Sequence, residues 1–143
     1  MHKKYKKRNK KIINIEPSYY NNSQYKLKID ISTIKNAGDG VFALEPIAKN
    51  RLVGYYEGDV IFNIHCGSYY ISIDDEHGIN AICYPRCYMA MINDTYKTNY
   101  NYNCEFIINE SNSDYNKKVE IWSISDININ DELFIDYGND YWK

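Results

Sequence analysis

The side chains that most often perform catalysis do not form any of the common catalytic motifs in this sequence. There is no G-x-S-x-G nucleophile elbow, no Walker phosphate-binding loop and no H-E-x-x-H zinc motif. The three histidines, His2, His65 and His77, lie in a basic N-terminal segment and in predicted loops, where we expect them to be solvated. The sequence therefore indicates none of the common catalytic machineries.

The four cysteines also lack a pattern that would indicate a site. Cys83 and Cys87 form the only close pair, and no second pair or nearby histidine completes the spacing of a structural zinc site. Cys66 and Cys104 stand apart from them. We expect four reduced, mostly buried thiols in an intracellular protein, and no metal site.

Two short segments carry residues whose chemistry is less obvious. GDG at 38–40 is too short for a dinucleotide fingerprint, and alone it is typical of a turn with two positive φ angles. The C-terminal ELFIDYGNDYWK (132–143) places Tyr137 between an aspartate and a glycine, and then adds Tyr141 and Trp142. Because terminal residues usually fray, aromatic side chains there suggest a specific role.

Length and composition favour one folded domain. A chain of 143 residues with 44% hydrophobic and 15% aromatic residues can bury a core without disulfide bonds. The sixteen tyrosines, like the abundant Asn, Ile and Lys, have A/T-rich codons, so their number alone indicates little about function.

Charge is distributed unevenly along the chain. Residues 1–11 hold seven of the 17 Lys and Arg residues and no acid, so the remaining chain has ten basic side chains against 19 acidic ones. Such a block of like charge is expected to be disordered. It is compatible with a nuclear-localisation or nucleic-acid-binding arm and equally with a solubilising tail. The acidic body suits a basic partner, such as a lysine-rich peptide.

The sequence shows no targeting or membrane segment. No apolar stretch approaches the roughly 18 residues that a membrane span requires. No apolar region follows the basic start as it would in a signal peptide. We therefore expect no contact with a membrane.

Hydrophobic patterning predicts a mainly β fold of short strands with little helix. Strands are expected at 27–33, 51–56, 60–64, 68–73 and 132–137, and a hairpin is expected at 103–108 and 118–124 around a polar turn. Residues 87–92 are compatible with a short buried helix or an apolar strand. Residues 1–26 are predicted to be a disordered basic tail and a linker over 12–25, and residues 27–143 to be the folded domain.

Four segments occur in a distinctive order: NAGDGVFAL (36–44), YYEGDVI (55–61), MINDTYKTNYNYNCEF (91–106) and DELFIDYG (131–138). Together they resemble the SET domain of protein-lysine N-methyltransferases, whose motifs are a GxGVFA turn, a YxGE strand end, an N-H-S…P-N-C segment and a terminal ELxxDYG. The resemblance covers roughly residues 27–142. It implies small curved β-sheets, short helices and a pseudoknot-like C-terminal segment that threads under a loop.

The sequence departs from the family pattern in its third motif. Asn93 is followed by Asp94 rather than histidine, and residues 96–102 form an insertion before Asn103. An arginine that often precedes the asparagine is replaced by Ala90, and the zinc-binding cysteine clusters that flank many SET domains are absent. The chain looks like the minimal SET proteins of some large DNA viruses.

The resemblance implies methyl transfer from S-adenosylmethionine to a lysine amine. Because this cofactor carries an activated methyl group, the protein needs to supply alignment and electrostatics rather than a nucleophile. Tyr137 corresponds to the central catalytic tyrosine, and Tyr56 to a second phenol that faces the amine.

Further site residues follow from the same resemblance. The turn, the asparagine segment and the C-terminus are expected to bind the cofactor, through Gly38, Asp39, Gly40, Asn93, Asp94, Tyr137 and Trp142. Residues expected to line the lysine channel or contact the peptide are Tyr69, Tyr70, Phe106, Ile135 and Tyr141. An aliphatic Ile135, where a tyrosine would restrict the product, favours multiple methylation.

The function that the sequence favours is methylation of lysine in a basic protein, with a histone as the expected substrate and a nuclear or chromatin-associated location. One alternative is a catalytically silent SET-like module that binds peptides. Another is a nucleic-acid-binding β domain that uses residues 1–11. The resemblance does not identify the target lysine or the oligomeric state.

Overall fold

The computed structural model describes residues 16–62, 67–109 and 118–138, and these residues fold mainly as short strands. One short 3₁₀ helix covers Tyr88–Met91. The strands of the described residues are β1 (Tyr19–Tyr20), β2 (Leu27–Ile31), β3 (Asp39–Ala43), β4 (Leu52–Tyr56), β5 (Asp59–Phe62), β6 (Tyr70–Ser72), β7 (His77–Asn80), β8 (Arg86–Cys87), β9 (Asn93–Asp94), β10 (Cys104–Asn109), β11 (Lys118–Ser123) and β12 (Phe134–Ile135).

The strands form several small sheets rather than one large one. β2 and β3 are an antiparallel pair, β5, β7 and β6 form a three-stranded sheet in that order, and β1 pairs with β8 in parallel. The largest sheet has the order β4-β11-β10-β12-β9. The predicted mainly β class of small sheets is confirmed.

The predicted hairpin is present as β10 and β11. These strands pair in antiparallel register from Cys104 opposite Ser123 to Asn109 opposite Lys118. Residues 87–92, which patterning left open, contain the end of β8 and then the buried 3₁₀ helix.

The C-terminal strand is threaded between two earlier strands. β12 lies between β9 and β10 and runs parallel to both. The connection 95–103, which joins β9 to β10, must therefore cross over β12. This is the pseudoknot-like arrangement that the resemblance implied.

The side chain of Asn103 links the connection 95–103 to the backbone around β12 by hydrogen bonds. Its Nδ2 donates a hydrogen bond to the Glu132 carbonyl oxygen at 3.0 Å, and its Oδ1 accepts one from the Phe134 N–H at 2.8 Å. The Asn103 N–H also donates to the Phe134 carbonyl oxygen. One asparagine thus satisfies backbone groups on both sides of Leu133, which is fully buried.

The linker prediction is wrong for the described residues 16–25. β1 pairs with β8, and the Ser23 hydroxyl donates to the Val53 carbonyl oxygen at 2.6 Å. Asn22 Nδ2 donates to the Tyr55 carbonyl oxygen at 2.6 Å. The polar residues that suggested a linker instead bond to the backbone of β4. Residues 1–15, which include the basic tail, lie outside the described residues.

The hydrophobic core is shared by the sheets and the 3₁₀ helix. Among its fully buried members are Val41, Val53, Met89, Ile121 and Leu133. Within the described residues, every helix is too short to cross a lipid bilayer.

Candidate active site

A cleft of about 510 Å³ lies where four segments of the chain approach Tyr137. Its walls come from residues 34–39, 68–69, 84–86 and 90–96, and Tyr19 also contributes. A volume of this size falls within the range of small-molecule sites. The cleft therefore gathers three of the four motifs singled out in the sequence.

The glycine turn forms one wall of the cleft. Gly38 has φ of +73°, a conformation that glycine adopts without strain, and its carbonyl oxygen accepts a hydrogen bond from the Ser32 N–H at 2.8 Å. The Asp39 carbonyl oxygen accepts a hydrogen bond from Asn93 Nδ2 at 3.0 Å. The turn and the asparagine motif are thus joined directly.

Gly40 has a different reason to be glycine. It lies in β3 without the positive φ that a pair of turn glycines would show, so that expectation is wrong at this residue. A Cβ atom at Gly40 would lie 2.3 Å from Oε2 of Glu132. The residue leaves room for a buried carboxylate, and it is not among the residues that line the cleft.

Asp94 connects the asparagine motif to the catalytic candidate. Its Oδ1 accepts a hydrogen bond from the Tyr96 N–H at 2.7 Å, and its Oδ2 accepts one from the Tyr137 N–H at 2.8 Å. Its backbone pairs with Ile135 of β12. The aspartate that replaces the family histidine therefore fixes the backbone of Tyr137.

The two predicted phenols meet through one aromatic ring. Phe106 stacks on Tyr137 with ring centroids 5.7 Å apart, and it contacts Tyr56 edge-on at 6.1 Å. Tyr56 is only 3% exposed. The Tyr137 hydroxyl donates a hydrogen bond to the Ile92 carbonyl oxygen. We call Tyr56, Phe106 and Tyr137 the aromatic cluster.

Tyr137 belongs both to the cleft and to the aromatic cluster. A ligand in the cleft and a side chain held by the aromatic rings would therefore meet at this residue. Apolar walls of this kind exclude water, while a phenol oxygen can still accept or donate a hydrogen bond. The arrangement suits a reaction in which a desolvated polar group must be oriented.

Arg86 is a functional candidate that the sequence interpretation missed. It is only 4% exposed, it lines the cleft, and its guanidinium lies 3.6 Å from the Tyr69 ring centroid and 4.5 Å from that of Tyr84. Its Nε and one terminal nitrogen donate to the carbonyl oxygens of Ala81 and Ile82. The position of an arginine within the apolar run around residues 79–92 was a signal that could have suggested burial.

Arg86 lacks an acidic partner in the part of the chain that the structure describes, where the ion pairs are Lys28–Asp30 and His77–Asp74. Buried arginines usually face a carboxylate. The cleft therefore has a buried cation that suits an anionic group of a ligand.

The remaining predicted residues are distributed more widely. Tyr69 lines the cleft, whereas the Tyr70 ring packs over Gly78, where a Cβ atom would lie 2.1 Å from the ring. Ile135 is fully buried between β9 and β10. Tyr141 and Trp142 lie outside the described residues.

Burial shifts the pKa of groups near the site. It raises the pKa of the Tyr19 phenol, with a further contribution from Tyr84. It also raises the pKa of the Cys87 thiol, and that of Cys104 to about 12. Both cysteines therefore stay protonated at neutral pH and are poor nucleophiles. Across residues 16–62, 67–109 and 118–138, no His, Cys, Asp and Glu side chains cluster as metal ligands would.

Comparison with known proteins identifies the family. The SET domain model matches residues 38–138, which is more than half of the chain. This chain belongs to the SET-domain family. The structure of this chain also resembles the crystal structure of a Plasmodium falciparum protein described as a histone methyltransferase. That match has a TM-score of 0.62 and 25% identity, and it covers 84% of this chain and 99% of the other. No curated protein sequence gives a significant match.

Proposed function

We propose that this SET domain transfers methyl groups from S-adenosylmethionine to a lysine side chain of a basic protein, with a histone as the expected substrate. Family membership and the described histone methyltransferase support the reaction class. The observation that carries the proposal is that Tyr137 is shared by the cleft and the aromatic cluster. The site of the methyl donor and the site of the methyl-accepting lysine would then be adjacent.

The chemistry of the cleft fits the cofactor. Its methionine portion bears a carboxylate, for which Arg86 offers a buried cation, and an ammonium group, for which the amide oxygen of Asn93 is a suitable acceptor. The Gly38 turn allows close backbone approach, and the backbone of Asp94 is the expected contact of the adenine. Tyr141 and Trp142, which the sequence assigns to the cofactor and the peptide, are proposed to cover the site.

The aromatic cluster would prepare the lysine for attack. A free lysine has a pKa of about 10.4, and desolvation among aromatic rings lowers that pKa toward the neutral amine. The Tyr137 hydroxyl donates a hydrogen bond to the Ile92 carbonyl oxygen. Its oxygen can therefore accept a hydrogen bond from an N–H of the amine, which orients the nitrogen lone pair.

When bound, S-adenosylmethionine would supply a sulfonium-activated methyl group. The lysine nitrogen then forms a bond to the methyl carbon, and the electron pair of the carbon–sulfur bond stays with sulfur. The amine gives up one proton to solvent in each cycle. The protein contributes mainly by holding nitrogen, carbon and sulfur in line. Removal of the Tyr137 hydroxyl should slow turnover by on the order of 10²-fold, the effect of losing other preorganised polar groups.

The protein substrate is expected to add a strand. β6 lies at an edge of its three-stranded sheet, where an extended peptide can form backbone hydrogen bonds, and Tyr69 lies just before this strand. The excess of acidic side chains outside residues 1–11 favours a lysine-rich peptide. Multiple methylation remains the expected outcome because Ile135 cannot hold the water that a tyrosine holds.

The test is intact-mass analysis of mixed histones after incubation with the protein and S-adenosylmethionine. We expect mass increases of one or more methyl groups, placed on lysine by fragmentation, with wild-type protein and much slower increases with Tyr137→Phe. A Tyr102→Phe variant, altered at an exposed tyrosine outside both the cleft and the aromatic cluster, is the matched control and should keep most of the activity. Equal rates for Tyr137→Phe and wild type would refute the catalytic role of Tyr137.

Nucleic-acid binding by residues 1–11 and a nuclear location are separate proposals. Both predict that deletion of residues 1–11 leaves methyl transfer to a short peptide unchanged, while it abolishes DNA binding in the first case and nuclear location in the second. Salt-dependent binding of duplex DNA, lost on deletion, would support the first. Imaging of a tagged chain with and without the segment would test the second.

A further inference from the structure

A buried carboxylate lies directly behind the cofactor cleft. Glu132 is 5% exposed and follows the turn that leads into β12. Its backbone forms an isolated bridge with Phe42 of β3. This places its side chain between the glycine turn, the segment 32–33 and the asparagine motif.

The Glu132 carboxylate accepts hydrogen bonds from three residues in two separate segments, 32–33 and the asparagine motif. Oε1 accepts from the Thr33 N–H at 2.8 Å and from the Thr33 hydroxyl at 2.7 Å, and Oε2 accepts from the Ser32 hydroxyl at 2.8 Å. Asn93 Nδ2 also donates to Oε2, at 3.4 Å. A buried carboxylate needs such donors to offset the loss of its hydration. Gly40 provides the necessary space, since any side chain there would displace Oε2.

The contacts of Asn93 Nδ2 with Glu132 and with the Asp39 carbonyl oxygen together determine which way the Asn93 amide faces. Nδ2 has two neighbours, the Asp39 carbonyl oxygen at 3.0 Å and Glu132 Oε2, and both can only accept hydrogen bonds. The amide nitrogen must therefore face inward. Asn93 also lines the cleft, so its Oδ1 is the amide atom left to accept a hydrogen bond from a ligand there.

We propose that Glu132 is a positioning residue that holds the Asn93 amide with its oxygen toward the cleft, so that the cleft selects a ligand with a cationic N–H donor. This inference rests on the proposed function, in which that donor is the ammonium group of the cofactor. Glu132 does not touch the ligand in this account. It acts only through Asn93.

Glu132→Gln is the sharpest perturbation because it keeps the size and shape of the side chain. The backbone N–H of Thr33 cannot become an acceptor, so the new amide oxygen must take the Oε1 position. The new NH₂ group then faces Ser32 and Asn93. The Ser32 hydroxyl can rotate and accept, whereas Asn93 Nδ2 would meet another donor. The Asn93 amide therefore has to shift away from the new NH₂ group, while the Asp39 carbonyl oxygen still accepts from Nδ2.

We expect Glu132→Gln to weaken binding of S-adenosylhomocysteine, measured by calorimetry, on the order of tenfold, the usual effect of losing one hydrogen bond to a charged group. Thr33→Val, which removes a hydroxyl donor from the same carboxylate but leaves Oε2 and Asn93 in place, is the matched control. It should bind within about twofold of wild type, because the Thr33 N–H and the Ser32 hydroxyl still hold the carboxylate in place.

A double-mutant cycle separates positioning from general destabilisation. If Glu132 acts through Asn93, then Glu132→Gln should have almost no further effect on affinity in an Asn93→Ala background, because the two residues form one unit. Additive losses in the double variant would overturn the proposal.

The side-chain amide signals of Asn93 give a readout that needs no cofactor. In NMR spectra of nitrogen-labelled protein, these signals, assigned by their loss in Asn93→Ala, should move in Glu132→Gln and stay in place in Thr33→Val. Unchanged signals in Glu132→Gln would contradict the proposal. If wild-type protein binds no S-adenosylhomocysteine, the proposed function fails, while the NMR comparison still decides whether Glu132 orients Asn93.

Discussion

Asn103→Ala should destabilise the protein far more than an ordinary asparagine substitution, because the threaded strand depends on this side chain. The change removes the partners of the Glu132 carbonyl oxygen and of the Phe134 N–H, which lie in residues that are 5% and 6% exposed. Leaving a buried backbone donor or acceptor without a partner costs about 1–3 kcal/mol each. We therefore expect a loss of about 2–6 kcal/mol in the free energy of unfolding. Typical domains have only about 5–15 kcal/mol in total.

Urea denaturation followed by circular dichroism measures this loss. Asn101→Ala is the matched control, since Asn101 lies in the same connection, is exposed, and should cost within about 0.5 kcal/mol. An Asn103→Ala variant whose free energy of unfolding equals that of Asn101→Ala would refute the reasoning. It would mean that other contacts hold β12 between β9 and β10.

Three further predictions concern the site and its surroundings. Gly40→Ala should lower the melting temperature more than Gly38→Ala. The first change places a Cβ atom 2.3 Å from Glu132 Oε2, whereas the second adds only the strain of a φ of +73°, about 1–2 kcal/mol. A larger loss of melting temperature for Gly38→Ala would contradict the close approach at Gly40. Arg86→Met should weaken binding of S-adenosylhomocysteine on the order of tenfold, and it should leave binding of methylthioadenosine, which lacks the amino-acid portion, unchanged. If calorimetry shows that both ligands bind equally more weakly, Arg86 does not recognise the carboxylate. Burial raises the pKa of the Cys104 thiol from 9.0 to about 12, so above pH 9 the unfolded chain loses this proton more readily than the folded chain, and alkali favours unfolding. Iodoacetamide should therefore label Cys104 only as the chain unfolds. Peptide mapping that finds Cys104 labelled before unfolding would contradict its burial.

Local patterning was sufficient for much of the secondary structure. β10 and β11 were predictable because each has strand-forming residues on either side of a polar turn. Residues 87–92 were not, since six apolar residues are too few for their period to distinguish a helix from a strand. The four motifs supplied the family and the roles expected of Tyr56 and Tyr137, which patterning alone could not supply.

The parts that sequence interpretation missed depend on long-range contacts. Glu132 and Arg86 are charged, and charged side chains are expected at the surface unless a partner is known. Their burial results from donors and carbonyl groups that arrive from distant segments. The same reason explains the linker error, because Asn22 and Ser23 favour loops locally and yet bond to β4, about thirty residues away in the chain.

A crystal structure of the protein with S-adenosylhomocysteine and a lysine-containing peptide tests the central claim most directly. Our account predicts the nucleoside in the cleft beside Asn93 and Arg86, and the lysine amine among the rings of Tyr56, Phe106 and Tyr137. The sulfur and the amine nitrogen should approach each other at Tyr137. A complex with either ligand bound elsewhere, or with the two on opposite faces of the domain, would contradict the account.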